Sequence, residues 1–178
     1  TRRTKRRMKR LTQKESNPFP YSDSNKRYHT YDYYLRTTYG GKCAKVTLDA
    51  GFTCPNIDGR CSVGGCIYCS SRGSGDFAAK GENVLEQLEK AKALVEAKNK
   101  GGKYIAYFQS YTSTYAPIER LRKLYFEAIK PDYIVGLSIA TRPDCISDEC
   151  VLLLKEISRI KPVTVELGFQ TSNEKTAE

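Results

Sequence analysis

Residues 103–138 read KYIAYFQSYTSTYAPIERLRKLYFEAIKPDYIVGLS. The run Lys103–Gln109 is β-rich. Pro117 then opens an amphipathic stretch that stops before Pro131, and Asp132–Ser138 is β-rich again. A strand, a helix and a second strand in that order make a parallel crossover, because a helix of this length carries the chain back to its starting edge. Upstream, residues 82–100 place Val84, Leu88, Ala91 and Val95 on one helical face. Gly101-Gly102 is the expected stop, and Glu86 and Lys90 form a favourable i,i+4 pair. Before that helix, Cys43–Asp49 alternates apolar and polar residues and is expected to be a strand. Downstream, Ser147 caps a helix that ends before Pro162, and Val163–Phe169 is a fourth strand. Thr171 and Glu174 stand at capping-box spacing and open another helix. Four strands alternating with helices predict an α/β fold with a parallel sheet, either doubly wound or part of a barrel. The sequence stops at Glu178 just after that last cap, which reads as the N-terminal piece of a longer protein.

The 178 residues carry a net charge of +10, seven cysteines and one histidine. The pI is about 9.2 and mean hydropathy is −0.57. No stretch approaches the roughly 18 consecutive apolar residues of a membrane span, and the basic N-terminus has no apolar run behind it to make a secretory signal. The expectation is a cytoplasmic protein without a membrane partner. Residues 1–16 read as a basic disordered tail, with TRRTKRRMKR at its start. Met8 is a candidate translation start; removing residues 1–7 would lower the net charge from +10 to +5. Residues 17–42 form a Tyr-rich segment, ambiguous between helix and strand over YHTYDYYLRTTYG, and residues 43–178 form the βα domain. His29, among many tyrosines, is expected to pack or touch substrate rather than bind metal. Scattered Cys43, Cys145 and Cys150 are expected to be buried apolar groups.

Four cysteines crowd into CPNIDGRCSVGGCIYC, residues 54–69. In a reducing compartment, with an odd total, a disulfide knot is disfavoured. A zinc site would use Cys54, Cys61, Cys66 and Cys69, but only Cys66–Cys69 has the C-x2-C knuckle that zinc sites usually carry twice. An iron–sulfur cluster on Cys54, Cys66 and Cys69 would leave one iron open for a ligand. Gly59, Gly64 and Gly65 suit either, since they permit positive φ and close backbone approach. The loop follows the first strand, so it lies at the carboxyl end of the sheet, where parallel α/β folds carry their sites.

The sequence resembles radical S-adenosylmethionine (SAM) proteins of the YhcC/YtqA type, related to the catalytic subunit of Elongator. The resemblance runs from about residue 17 to the end and is carried by NPFPYSDSNKRYHTYDYYLR (17–36), DAGFTCPNIDGRCSVGGCIYC (49–69), FQSYTSTYAP (108–117), SIATRPD (138–144) and ELGFQT (166–171). It implies a partial TIM-like parallel (β/α) barrel of the radical SAM type, cut after about four βα units. It also implies a 4Fe–4S cluster on Cys54, Cys66 and Cys69, spaced C-x11-C-x2-C where the wider superfamily has C-x3-C-x2-C. Cys61 falls in the long gap and receives no ligand role. SAM would chelate the open iron. By the same resemblance, Tyr68 would pack near adenine, unless it is only loop packing. Gln109 and Ser110 would meet the methionine amine, unless they make ordinary strand-end hydrogen bonds. Ser138, Arg142 and Asp144 would project over the mouth. There Arg142 pairs with the SAM carboxylate or makes a loop salt bridge with Asp144. Glu166, costly to bury unpaired in an apolar strand, would bind ribose or amine together with Gln170, unless it is simply satisfied within the core.

The implied activity is reductive cleavage of SAM to methionine and a 5′-deoxyadenosyl radical, which takes a hydrogen atom from substrate, with no acid–base side chain required for that first step. The implied substrate is the wobble uridine of tRNA, with remodelling of its aminomethyl group, and the implied electron donor is of the flavodoxin or ferredoxin kind. The remaining positive charge is compatible with a polyanion. The competing class is a non-catalytic zinc- or Fe–S-binding RNA-interaction module.

Overall fold

The computed structural model describes residues 22–23, 26–78 and 81–177; the expectations for the basic tail and for Met8 lie outside them. The chain divides between Lys42 and Cys43 into two units. In the first, the ambiguous tyrosine-rich stretch is a helix, α1 (Tyr31–Tyr39). Thr30 Oγ1 accepts the Tyr33 N–H at 3.1 Å as its N-cap and Gly40 ends it. Arg36 pairs with Asp32 at 2.8 Å and with Asp23 at 2.7 Å. His29 meets the rings of Tyr33 and Tyr34 edge-on, which is the packing role.

The second unit runs β1 (Cys43–Leu48), α2 (Val84–Glu96), β2 (Lys103–Phe108), α3 (Ile118–Ile129), β3 (Ile134–Thr141), a 3-10 turn (Pro143–Cys145), α4 (Asp148–Ser158), β4 (Val163–Leu167) and α5 (Glu174–Ala177). The four strands are all parallel and stand in the order β1-β2-β3-β4. Alternation along each strand sends Val46, Leu48, Tyr104, Ala106, Phe108, Leu137 and Ile139 into one core. The same core receives Leu88 and Ala91 of α2, Leu121, Tyr125 and Ala128 of α3, and Leu153 and Ile157 of α4. All three long helices therefore cover one face of the sheet. A progressive strand order with helices on a single face differs from a doubly wound sheet, whose order reverses and whose helices divide between two faces.

Several boundaries differ from the sequence reading, and the larger differences have a local reason. Helix α2 ends at Glu96 rather than at the glycine pair, because buried Asn99 turns the chain and donates its amide to Lys103 O at 3.1 Å. Strand β3 starts at Ile134 because a turn bonds Ile134 N–H to Pro131 O at 3.1 Å, and it continues to Thr141 because β4 pairs with it that far. Strand β4 ends at Leu167, where Gly168 N–H bonds Thr141 O at 3.0 Å. The cap of α5 is Asn173, whose Oδ1 accepts the Thr176 N–H at 3.3 Å; Thr171 Oγ1 instead accepts from Asn173 N–H. Asn83 and Ser147 cap α2 and α4, with Ser147 as expected. The Glu86–Lys90 pair forms at 2.5 Å. No helix among the described residues is long and apolar enough to cross a membrane.

Candidate functional site

The loop from β1 to α2 is anchored before it reaches its cysteines. Gln87 of α2, 7% exposed, accepts the Asp49 N–H at 2.9 Å and donates to Asp49 O at 2.8 Å. Arg120 of α3 donates to Ala50 O at 2.7 Å and to Gly51 O at 3.1 Å. Beyond these clamps the loop folds on its own backbone: Cys54 O accepts from Ile57 and Asp58, Asn56 O from Gly65, and Cys66 O from Cys69. Gly59, Gly64 and Gly65 all adopt the positive φ that these turns require. The loop's second half lies against the end of β2. Tyr111 N–H bonds Gly73 O at 2.8 Å, and its hydroxyl donates to Ser71 O at 2.9 Å. A Cβ on Gly73 would overlap the Tyr111 ring, and one on Gly75 would overlap Ser110 Oγ.

The carboxyl ends of the strands and this loop enclose a pocket of about 550 Å³. Its wall takes Cys54, Asn56, Cys66, Tyr68 and Cys69 from the loop after β1, Gln109 and Tyr111 from after β2, Arg142 and Asp144 from after β3, and Glu166 and Gln170 from β4 and the turn beyond. Ser74, Tyr111 and Gln170 are the three non-glycine residues at positive φ among those described, and all three line this pocket. Left-handed backbone in such residues is held only where the surroundings enforce it, and it clusters at functional sites.

Nine of the eleven expected site residues share this wall; Ser110 and Ser138 do not. Ser110 is buried beneath Gly75, and its hydroxyl has no hydrogen-bond partner among the described residues. Ser138 lies inside β3 rather than at its end, fully buried, and donates to Glu166 Oε1 at 2.7 Å. Cys61 is exposed and is no part of the wall. Of the remaining cysteines only Cys150 is buried in the core; Cys43 and Cys145 are half-buried.

Glu166 is the centre of a network spanning four strands. Lys45 of β1 pairs with Oε1, Tyr107 of β2 donates to Oε2 at 2.9 Å, and Ser138 of β3 completes the set. The Lys45 ammonium also lies 4.1 Å from the Tyr107 ring centre. Burial pushes the Glu166 carboxyl up, but the three donors and the Lys45 charge outweigh it and hold the group below the usual glutamate range. Sequence reasoning missed Lys45 and Tyr107. The strand alternation carries the signal, since both fall on the face opposite Val46 and Phe108.

At the cysteines, the Asn56 amide donates to Cys66 Sγ at 3.0 Å and Arg142 Nη1 approaches Cys54 Sγ at 3.9 Å. Hydrogen bonds from Tyr68 and then Asn56 lower the Cys66 thiol below its ordinary value, and the same bond pushes Tyr68 up to about 12. Burial, followed by the Cys66 and Cys54 charges, raises Cys69. The Arg142 fork is held by Asp144, with Nε and Nη2 donating at 2.9 and 2.7 Å; the loop salt bridge is the arrangement present. Among the described residues no three His, Cys, Asp or Glu side chains gather into a group that could hold a metal ion. The three thiols share one wall, with Cys54 turned to Arg142 and Cys66 to Asn56 and Tyr68.

The chain is 49% identical over 164 residues to the protein YtqA of Bacillus subtilis, covering 92% of this chain and 51% of that protein. It is 43% identical over 143 residues to YhcC of Escherichia coli, covering 80% and 45%. It is also 31% identical over 151 residues to MJ0486 of Methanocaldococcus jannaschii, covering 83% and 46%. It spans about half the length of these curated relatives, whose names state no activity. No family model matches the chain. No solved structure matches it.

Proposed function

We propose that this chain is part of a radical SAM (β/α) barrel, with Cys54, Cys66 and Cys69 holding a 4Fe–4S cluster beside a SAM pocket. One observation carries the reading: these three thiols, and not Cys61, line the same pocket as Gln109, Arg142, Glu166 and Gln170. The chemistry of the donor set agrees. Thiolates are the usual ligands of such clusters, and the N–H groups of Asn56 and Arg142 are the partners that ligand sulfurs take. A four-cysteine zinc site would need Cys61 on this wall. The single-faced helix arrangement supports a barrel segment over a doubly wound sheet.

When bound, the cluster and SAM together supply reductive cleavage to the 5′-deoxyadenosyl radical. The chain's own work is placement. Tyr68, 62% exposed on the rim, offers a ring to adenine. Gln109 and Gln170 line the pocket and bring amide side chains to it. Glu166, kept anionic by Lys45, Tyr107 and Ser138, offers the second lone pair of Oε2 to a hydroxyl or ammonium group. The pocket volume lies within the range of small-molecule sites. The reaction serves modification of a tRNA wobble uridine, supported by the resemblance and the basic net charge, with a low-potential flavodoxin or ferredoxin as electron donor.

The test is anaerobic reconstitution of the full-length protein followed by assay of 5′-deoxyadenosine. The parent protein should bind iron and sulfide and cleave SAM, and Cys66→Ala should do neither. A colourless preparation holding zinc, with Cys61 among its donors, would overturn the reading in favour of the RNA-interaction module. Affinity for tRNA should fall steeply with salt.

A further inference from the structure

We propose that Arg142 and Asn56 form one brace that joins both arms of the cysteine loop to β3 and sets the hydrogen bonds received by the Cys54 and Cys66 sulfurs. The inference rests on the cluster reading above and adds to it two residues that tune the cluster's reduction potential.

Arg142 follows β3 directly, so its backbone is fixed by the sheet. Two arms of its guanidinium are used by Asp144, at 2.9 and 2.7 Å. That bidentate grip locks the plane and aims the third arm. Nη1 donates to Asn56 Oδ1 at 2.6 Å and approaches Cys54 Sγ at 3.9 Å. A guanidinium only donates, so Asn56 must turn its carbonyl toward Arg142. The Asn56 NH₂ group then has to face the other way, and it meets Cys66 Sγ at 3.0 Å. One cation thereby fixes a donor on Cys54 and, through the orientation of an amide, a donor on Cys66. Asn56 lies in the long gap that distinguishes this loop, and its backbone carbonyl accepts the Gly65 N–H at 2.8 Å just before Cys66.

N–H donors on ligand sulfur favour the more electron-rich, reduced cluster and raise its potential. Lysine cannot replace this arginine. A point ammonium has no planar fork with which to hold Asp144 twice and still aim a third donor.

The experiment uses full-length protein reconstituted without oxygen: the parent, Arg142→Met, Arg142→Lys, Asn56→Ala and the Met/Ala double variant. Two quantities are read: the midpoint potential by redox titration followed by electron paramagnetic resonance, and hydrogen exchange of the 54–69 amides in cluster-free protein. The potential should fall in all three single variants by about tenfold in the redox equilibrium, or about 59 mV for one electron. The double variant should fall by less than the sum of the singles, because the pair acts as a unit. Exchange in the loop should accelerate in each single variant. Potentials unchanged in Arg142→Met and Asn56→Ala, with the cluster intact, would overturn the brace, as would full rescue by Arg142→Lys. Should Arg142→Met fail to fold, Asn56→Ala decides alone, since it leaves the Arg142–Asp144 pair in place. A parent protein that takes up no iron sinks the cluster reading instead. The brace is then judged on loop exchange, and unchanged rates would sink it too.

Discussion

The two faces of the sheet are built by opposite rules. The helix-covered face is apolar, with Phe108 fully buried between Phe52 and Tyr125 at ring distances of 6.1 and 5.2 Å. The opposite face and the loop above it are polar: Lys45, Tyr107, Ser138 and Glu166 on the strands, then Asn56, Arg142 and three thiols at the carboxyl end. Burial holds the first and is non-directional, so neighbouring residues share any loss. Hydrogen bonds with fixed partners hold the second, so each change there is specific and leaves the rest of the fold in place. The lesson is a division of labour. The helix side supplies a rigid frame, and the other side can carry strained backbone and titratable groups because the frame does not depend on them.

The largest way to break this contrast is Phe108→Ala. It should cost about 3–5 kcal/mol and unfold both faces together, since cavity formation adds to lost burial; urea denaturation followed by circular dichroism checks it. A stability loss below about 1 kcal/mol would mean the frame is not cooperative.

Next is Glu166→Gln, expected to cost about 1–2 kcal/mol near neutral pH. That is the low end for a charged hydrogen bond, because 36% of the side chain is exposed. The pH dependence has a definite sign. Glu166 has a lowered folded pKa, so its contribution is fully present above the ordinary value of 4.5 and is lost as pH falls through the lower, folded value. The parent and Glu166→Gln should therefore converge in stability below pH 4.5 and separate above it, as read by denaturation across pH. A gap that widens on acidification would reverse the assignment.

Gly73→Ala should act more locally, at ~1 kcal/mol for left-handed backbone at φ +55, together with displacement of the Tyr111 ring. Hydrogen exchange should quicken in residues 70–75 and 110–112 while β2 and β3 keep their protection. Uniform acceleration across the sheet would show that the loop and the frame are not separable.

The smallest effect is expected at Cys61→Ala, exposed and outside the pocket wall. Stability should change by less than about 0.5 kcal/mol, and iron content of reconstituted full-length protein should match the parent. A halved iron content would place Cys61 in the ligand set.

The amino-acid sequence by itself determined the element order, the parallel direction of the strands and the position of the cysteine loop at their carboxyl end. Each follows from short-range rules: apolar period, Pro and Gly punctuation, and the length of a crossover helix. It placed four cysteines in one loop, and only the family resemblance singled out Cys54, Cys66 and Cys69 from Cys61. Tertiary structure alone decided that the strands run in simple order with the helices on one face, because periodicity states which residues are buried but not which face buries them. It moved the cap of α5 to Asn173, tucked Ser110 under Gly75, and left Ser138 inside β3, on the face of Glu166 but short of the pocket wall. It also partnered Glu166 with Lys45, 121 residues away in the chain, and Arg142 with Asn56, 86 residues away. Contacts at that separation depend on how strands align across the sheet, and no local pattern in the chain records that alignment.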